Sequence, residues 1–286
     1  MSGEKRPAPV PRDAIEVEDR EPLAPPEWFV ERAAAVGVEF EVGEVEKLGK
    51  FLAIMLGANE RLNLTAITEP EEAWSKHILD SLTLVGALAE LPEGARVLDV
   101  GTGAGLPGMV LAIAMPQLNF TLMDATAKKI EFLKQTARHI GVTNVEPVCG
   151  RSETMAHDRG IKSDSGAART GGYREQFDAV VARAVGPMAT IAELTVGFAK
   201  INAPTLLIKG QKADEELAEA ALALQMLKVV HAGTIETPSG KIVVLEKRVA
   251  TPKLYPRADG EPKRAPLGIG SGKRKRPNSD APKGDA

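Results

Sequence analysis

The sequence predicts an α/β fold: a mostly parallel sheet wound with helices on both faces, closed by an antiparallel hairpin and preceded by a helical subdomain. Three observations carry this prediction. Short apolar runs alternate with helix-period segments from residue 95 onward. The last two apolar runs are separated only by "PSG", which leaves no room for a helix. Before residue 94 the apolar residues recur at three- and four-residue steps instead.

Taken in order, residues 1–26 are rich in proline and charge and show no period, so they are expected to be a disordered extension. Residues 27–93 form the helical subdomain. In it Val42, Val45, Leu48, Phe51, Leu52, Met55 and Leu56 line one helix face. "EPEEAWSKHILDSLTLVGALAEL" predicts one or two further helices, with Pro70 at a first helical position and Glu71 and Glu72 where the positive helix end favours acids.

Residues 94–250 form the sheet domain. "ARVLDV", "NFTLMD", "NVEPVC", "FDAVVA", "PTLLIK", "LKVVHAGTIET" and "KIVVLEKR" are its seven strands, with helical patterns at 107–115, 127–140, 187–199 and 211–225. Residues 156–176 hold glycine and serine and almost no large apolar residue, which predicts a long mobile insertion. Residues 251–286 repeat the composition of the amino terminus with nine Lys/Arg against four Asp/Glu, and predict a disordered basic tail.

The whole chain carries a formal charge of −3, so the folded part does not advertise a nucleic-acid substrate; only the tail does. No apolar run approaches a membrane span and the opening residues lack a secretory hydrophobic centre, so a cytoplasmic location without membrane partners is expected. The single cysteine, Cys149, is expected to be a buried strand thiol. No Cys/His cluster has zinc spacing, and no metal is expected.

The stretch "RVLDVGTGAGLPGMVLA" at 96–112 is the richest in chemistry. Gly103, Gly105 and Gly108 match the spacing of a dinucleotide-binding loop. Asp99 argues against that ligand, because a carboxylate facing a pyrophosphate repels it. "LDVGTGAG" resembles instead the first motif of the S-adenosylmethionine-dependent methyltransferases, whose Rossmann-like class I sheet closes on the same antiparallel hairpin. On that resemblance the cofactor is S-adenosylmethionine, Asp99 faces its cationic groups, and Gly101, Gly103 and Gly105 allow the backbone to approach it. Asp124, at the end of the second strand, then accepts the ribose hydroxyls.

Flanking residues narrow the field. "NERLNLTAI" at 59–67, "KHILDSL" at 76–82, "VGTGAGLPG" at 100–108, "VARAV" at 181–185, "LIKG" at 207–210 and "TPKLYPRADGEPKRAPL" at 251–267 together resemble the glucose-inhibited division protein B family, also called ribosomal RNA small subunit methyltransferase G. The likeness spans about residues 40–268. It implies methylation of guanine N7 at nucleotide 527, in the 530 loop of 16S ribosomal RNA, with the small ribosomal subunit or an assembly intermediate as partner. It also implies that Gly101, Leu106, Ser152, Glu153 and Arg183 line the cofactor site, Glu153 against the adenine amine.

Methylation at N7 removes no proton, so Arg183 and Lys209 are expected to position rather than act as bases: Arg183 on the cofactor carboxylate or guanine O6, Lys209 on a phosphate or as a strand-end cap. His77 and Asp80 share a helix face and either lock the helices to the sheet or touch RNA. Asn59 and Asn63 are expected to order a turn, and Trp74 to sit in the core. Lys253, Arg257, Lys263, Arg264 and residues 273–276 are expected to meet RNA phosphates. A same-fold methyltransferase acting on a small molecule or protein, or a non-catalytic nucleotide-binding module, remains the other reading.

Overall fold

The computed structural model describes residues 17–162, 169–183 and 186–268. In chain order the first elements are α1 (Phe29–Ala35), α2 (Glu44–Leu62), α3 (Pro70–Ala73), a π-helix (Trp74–Leu79), α4 (Asp80–Leu82) and α5 (Val85–Leu88). There follow β1 (Arg96–Val100), α6 (Gly108–Ala114), β2 (Asn119–Asp124), α7 (Ala127–Ile140), β3 (Val145–Cys149), α8 (Ser152–Met155), β4 (Ile161–Lys162) and β5 (Arg169–Thr170). The chain continues through β6 (Ala179–Arg183), α9 (Met188–Thr195), β7 (Pro204–Lys209), α10 (Ala213–Glu219) and α11 (Ala221–Leu227), then β8 (Val229–Thr237), β9 (Gly240–Lys247) and α12 (Glu261–Arg264).

Seven strands form one sheet in the order β3-β2-β1-β6-β7-β9-β8. The strands from β3 to β7 are parallel, and β9 runs antiparallel to both β7 and β8. The sheet is the doubly wound type that the alternation predicts. From β1 the chain winds outward to β2 and β3, then crosses to β6 on the other side of β1. That reversal opens a crevice at the carboxyl ends of β1 and β6, where such sheets place their ligands.

Successive strand residues serve opposite faces. Val97, Phe120, Leu122 and Val181 join a core with Phe51, Trp74 and Phe132, whereas Leu98, Val100, Met123 and Val180 join the opposite core with Phe177 and Phe198. The amino-terminal helices therefore share one continuous core with α6 and α7. Trp74 is wholly buried in it, as its helical spacing predicts.

The structure corrects four expectations. Residues 17–26 lack regular structure but pack along α2, because two helix glycines leave notches there. The Leu23 amide donates to the Gly49 carbonyl at 3.2 Å, and a Cβ on Gly57 would collide with the Arg20 guanidinium. Residues 251–268 are folded, with Thr251, Tyr255 and Leu267 buried. The insertion carries the short antiparallel ribbon β4–β5, with Ile161 opposite Thr170, while residues 163–168 lie outside the described residues. Cys149 is exposed, because it ends an edge strand that has neighbours on one side only.

Two helix irregularities also escaped the periodicity. Residues 69–91 break into short pieces around the π-helix, and the pattern at 211–225 splits into α10 and α11.

Candidate functional site

The glycine loop begins where β1 ends. Asp99, in the last turn of strand before it, is wholly buried, and its Oδ2 accepts the Gly108 amide at 2.9 Å. Gly108 opens α6, so this carboxylate neutralises the positive end of the helix from below. Oδ1 has no hydrogen-bond partner, and burial pushes the carboxyl up to about 6. Asp99 therefore supports the loop and does not face the crevice, which corrects its expected contact with the ligand. Strand alternation explains this: the residue points into the packed layer between sheet and α6. The final glycine of "GLPG" is required by the same contact, since a Cβ on Gly108 would overlap Leu122 and stand 2.8 Å from Asp99 Oδ2.

Gly105 adopts φ +99°, and a Cβ there would meet Leu133 at 2.8 Å, so both its conformation and its space call for glycine. Leu106 is buried in the core with Phe51 and Leu133, outside the lining of the cavity beside Asp124.

Asp124 is the carboxylate that does face the crevice. Its Oδ2 accepts the Gly103 amide at 3.1 Å and its Oδ1 accepts the Thr126 amide at 2.8 Å. Two backbone donors thus fix the carboxylate, and each oxygen keeps a lone pair for a ligand. Beside it lies a cavity of about 350 Å³, lined among others by Gly101, Asp124, Ser152, Glu153, Lys129 and Lys263. Four of the sequence-predicted residues therefore meet in one place. Glu153 reaches it already engaged, because its Oε1 accepts the Gly260 amide at 3.0 Å. That single bond fixes the Glu153 carboxylate as the amides fix Asp124, and leaves the oxygen a second lone pair.

Arg183, His77 and Asp80 also come together, at the carboxyl end of β6. Arg183 Nη1 donates to the Lys76 carbonyl at 2.8 Å, Nη2 stands 3.5 Å from His77 Nδ1, and Asp80 Oδ2 lies 3.8 Å away. Arginine can only donate, so Nδ1 is the accepting nitrogen and the His77 proton resides on Nε2, which donates to Thr65 Oγ1 at 2.8 Å. Asn59 shapes the Thr65 loop, its Oδ1 accepting the Leu64 and Thr65 amides at 2.7 and 2.8 Å. Asn63 ends α2 at φ +48°, so both asparagines order the turn as expected. Ser239, from the β8–β9 turn, donates to Asp80. This network locks helices, sheet and hairpin together, the first of the two roles weighed for His77 and Asp80. It also commits much of the Arg183 guanidinium to the protein.

Burial, followed by the nearby Arg183 charge, lowers the His77 pKa from 6.5 to about 4. A depressed folded pKa means that the neutral ring contributes stability that is present above pH 6.5 and lost as pH falls through about 4. Denaturant unfolding at pH 7 and pH 4.5 is expected to show a difference smaller by about 2 kcal/mol in His77→Gln than in the unsubstituted protein. An identical difference in the two would refute the assignment.

Lys209 is not free for a phosphate. Its ammonium pairs with Glu216 Oε2 at 2.6 Å and donates to the Gly186 carbonyl at 2.7 Å, while Glu216 Oε2 also accepts the Met188 amide. It caps the strand end and holds the loop after β6, the other role considered for it. Arg257 likewise forms a bidentate pair with the wholly buried Glu193, at 2.9 and 2.7 Å, which removes it from the expected RNA contacts. Lys253 and Arg264 are exposed. Residues 273–276 lie outside the described residues.

The geometry bears on the two ligands weighed for the glycine loop. A diphosphate at such a loop is bound by backbone amides at the helix start. Here the Gly108 amide is engaged by the buried Asp99 and the Gly103 amide by Asp124, so neither is free to donate to a diphosphate, and the carboxylate at the cavity is that of Asp124. A ligand with vicinal hydroxyls and cationic groups fits the same surface. Neither Thr65, Ser239, Glu216 nor Glu193 could be picked out from the sequence, since each is a partner supplied by a distant segment. Among the described residues no group of three or more His, Cys, Asp or Glu is placed to hold a metal ion. Among them, too, no helix is long and apolar enough to cross a membrane.

Comparison with known proteins places the chain in a family. The family model described as rRNA small subunit methyltransferase G matches residues 44–241. A ribosomal RNA small subunit methyltransferase G of Sorangium cellulosum (strain So ce56) is 46% identical over 253 residues, which is 88% of this chain and 98% of that protein. One of Moorella thermoacetica is 35% identical, with 81% and 93% covered. A solved SAM-dependent methyltransferase from Aquifex aeolicus is similar with a TM-score of 0.45 at 18% identity, over 62% of this chain and 92% of that one. Matched over most of its length by the family model, and at high identity by nearly complete relatives, this chain belongs to the rRNA small subunit methyltransferase G family.

Proposed function

We propose that this protein transfers a methyl group from S-adenosylmethionine to N7 of the guanine at nucleotide 527, in the 530 loop of 16S ribosomal RNA. Family membership supports the reaction class. The observation that carries the reading at the site is Asp124, a carboxylate held by two amides in the wall of a cavity at the carboxyl edge of the sheet.

The residues present fit the cofactor. Asp124 offers one lone pair per oxygen to the ribose diol, and the glycine loop admits the ligand close to the backbone. The cavity falls within the range of about 300–1,000 Å³ common for small-molecule sites. When bound, S-adenosylmethionine supplies an activated methyl on a cationic sulfur. Guanine N7 offers an in-plane lone pair and no proton, so the chain has only to orient the two partners. Orientation of this kind accounts for up to several kcal/mol of barrier reduction.

Arg183 and Lys209 serve that orientation indirectly. Arg183 ties the end of β6 to the π-helix, and Lys209 ties the following loop to α10 through Glu216. Both act as positioning residues at the crevice mouth.

Incubation of the full chain with methyl-labelled cofactor and small ribosomal subunits from a strain lacking its own enzyme tests the reading. Label in 16S rRNA, with the backbone cleavage diagnostic of 7-methylguanine at nucleotide 527, is the expected result. Label at another nucleotide, or transfer only to proteins or small molecules, would replace the proposed substrate while leaving the methyl donor in place.

A further inference from the structure

Thr251–Leu267 lie beyond the residues that the family model matches, and their composition predicts a loose basic tail. They are instead folded as a strap that reaches the cavity at Gly260 and Lys263. Arg174 holds the beginning of the strap by donating to the carbonyls of Thr251, Pro252 and Tyr255. The Arg257–Glu193 pair holds its middle against α9. At the cavity the Gly260 amide donates to Glu153, and Asp259 lies 3.5 Å from Arg151 and 3.4 Å from Thr154. Gly260 and Lys263 consequently line the same cavity as Asp124 and Glu153.

We propose that this strap is the outer wall of the adenosyl pocket and that Lys263 is a cofactor-positioning residue. The proposal rests on the methyl-donor reading above. The inner wall presents carboxylates, which accept from ribose hydroxyls and from the exocyclic amine. Adenine also carries ring nitrogens that only accept. They require a donor, and the Lys263 ammonium, on the strap side of the cavity, has three. Glu153 adds a mechanical link, since it touches the cavity and holds Gly260 at once. A ligand that settles against Glu153 therefore steadies the strap, and by linkage an ordered strap raises affinity for that ligand. A tail serving RNA phosphates alone would have no such link.

Two measurements on the full chain test this. In calorimetric titration with S-adenosylhomocysteine, Lys263→Ala is expected to weaken binding about tenfold, near the lower limit for a charge-assisted hydrogen bond from an exposed side chain. Lys263→Arg is expected to restore most of the loss, and Arg264→Ala, outside the cavity lining, to match the unsubstituted protein. In hydrogen exchange, backbone amides of residues 255–264 are expected to slow severalfold when S-adenosylhomocysteine saturates the protein. Unchanged affinity in Lys263→Ala together with unchanged exchange in the strap, while Asp124→Ala still loses binding, overturns the proposal and spares the methyl-donor reading. Failure of the unsubstituted protein to bind S-adenosylhomocysteine overturns both.

Discussion

Arg174→Ala is expected to lower the free energy of unfolding by about 3–5 kcal/mol, the range seen when one partner of a buried charged contact is removed. Arg174 is 3% exposed, and its guanidinium donates to four carbonyls: Ala156 at 2.7 Å, Tyr255 at 3.0 Å, Thr251 at 2.8 Å and Pro252 at 3.2 Å. These carbonyls belong to two segments, at Ala156 and at Thr251–Tyr255, that are far apart in the chain and are joined here by one side chain. Truncation removes this donor from all four, only the Pro252 carbonyl keeping another among the described residues, the Tyr255 amide at 3.0 Å, and each unsatisfied group costs about 1–3 kcal/mol. For a chain of this size the loss corresponds to a fall in Tm of about 10 °C. Arg174→Lys is expected to lose less, because an ammonium keeps the charge but cannot span the four acceptors. Denaturant unfolding monitored by circular dichroism checks this, and a midpoint unmoved in Arg174→Ala would show that the strap is held by other means.

Asp124→Ala is expected to weaken S-adenosylmethionine binding about a hundredfold, as two hydrogen bonds to a charged acceptor are worth about 1.5–3 kcal/mol each. The structure sharpens this expectation. Asp124 also anchors the Gly103 and Thr126 amides, so truncation frees the loop as well as removing the acceptor. Asp124→Asn separates the two contributions, because its side-chain carbonyl can keep one amide while the charge is lost. The alanine variant is therefore expected to bind more weakly than the asparagine variant. Equal affinity in the two, and in the unsubstituted protein, would remove Asp124 from the site.

The fold was legible because it depends on local signals. Apolar runs of five or six residues alternating with amphipathic segments specify a doubly wound sheet, and "PSG" leaves room only for the hairpin that β8 and β9 form. The place of the site was legible too, since glycine loop and strand-end acid must meet at the carboxyl edge. Which acid faces the ligand was not. Asp99 and Asp124 point to the same face of the sheet, but Asp99 lies one residue inside the end of β1, covered by the start of α6, whereas Asp124 is the last residue of β2 and borders the cavity. Lys209 and Arg257 misled for a different reason. Their partners, Glu216 and Glu193, sit on helices whose sequence gives no sign of facing inward at those positions. The strap from Thr251 to Leu267 was missed because its few apolar anchors, Tyr255 and Leu267, show no period and its order comes largely from Arg174 and Glu153, supplied by distant segments.

The central claim is that the Asp124 crevice takes a sulfonium donor and refuses a diphosphate. Parallel calorimetric titrations of the full chain with S-adenosylmethionine and with NAD test it most directly. Saturable one-to-one binding of S-adenosylmethionine, with no heat from NAD and no displacement by it, is the predicted result. Binding of NAD that competes with or excludes S-adenosylmethionine would contradict it.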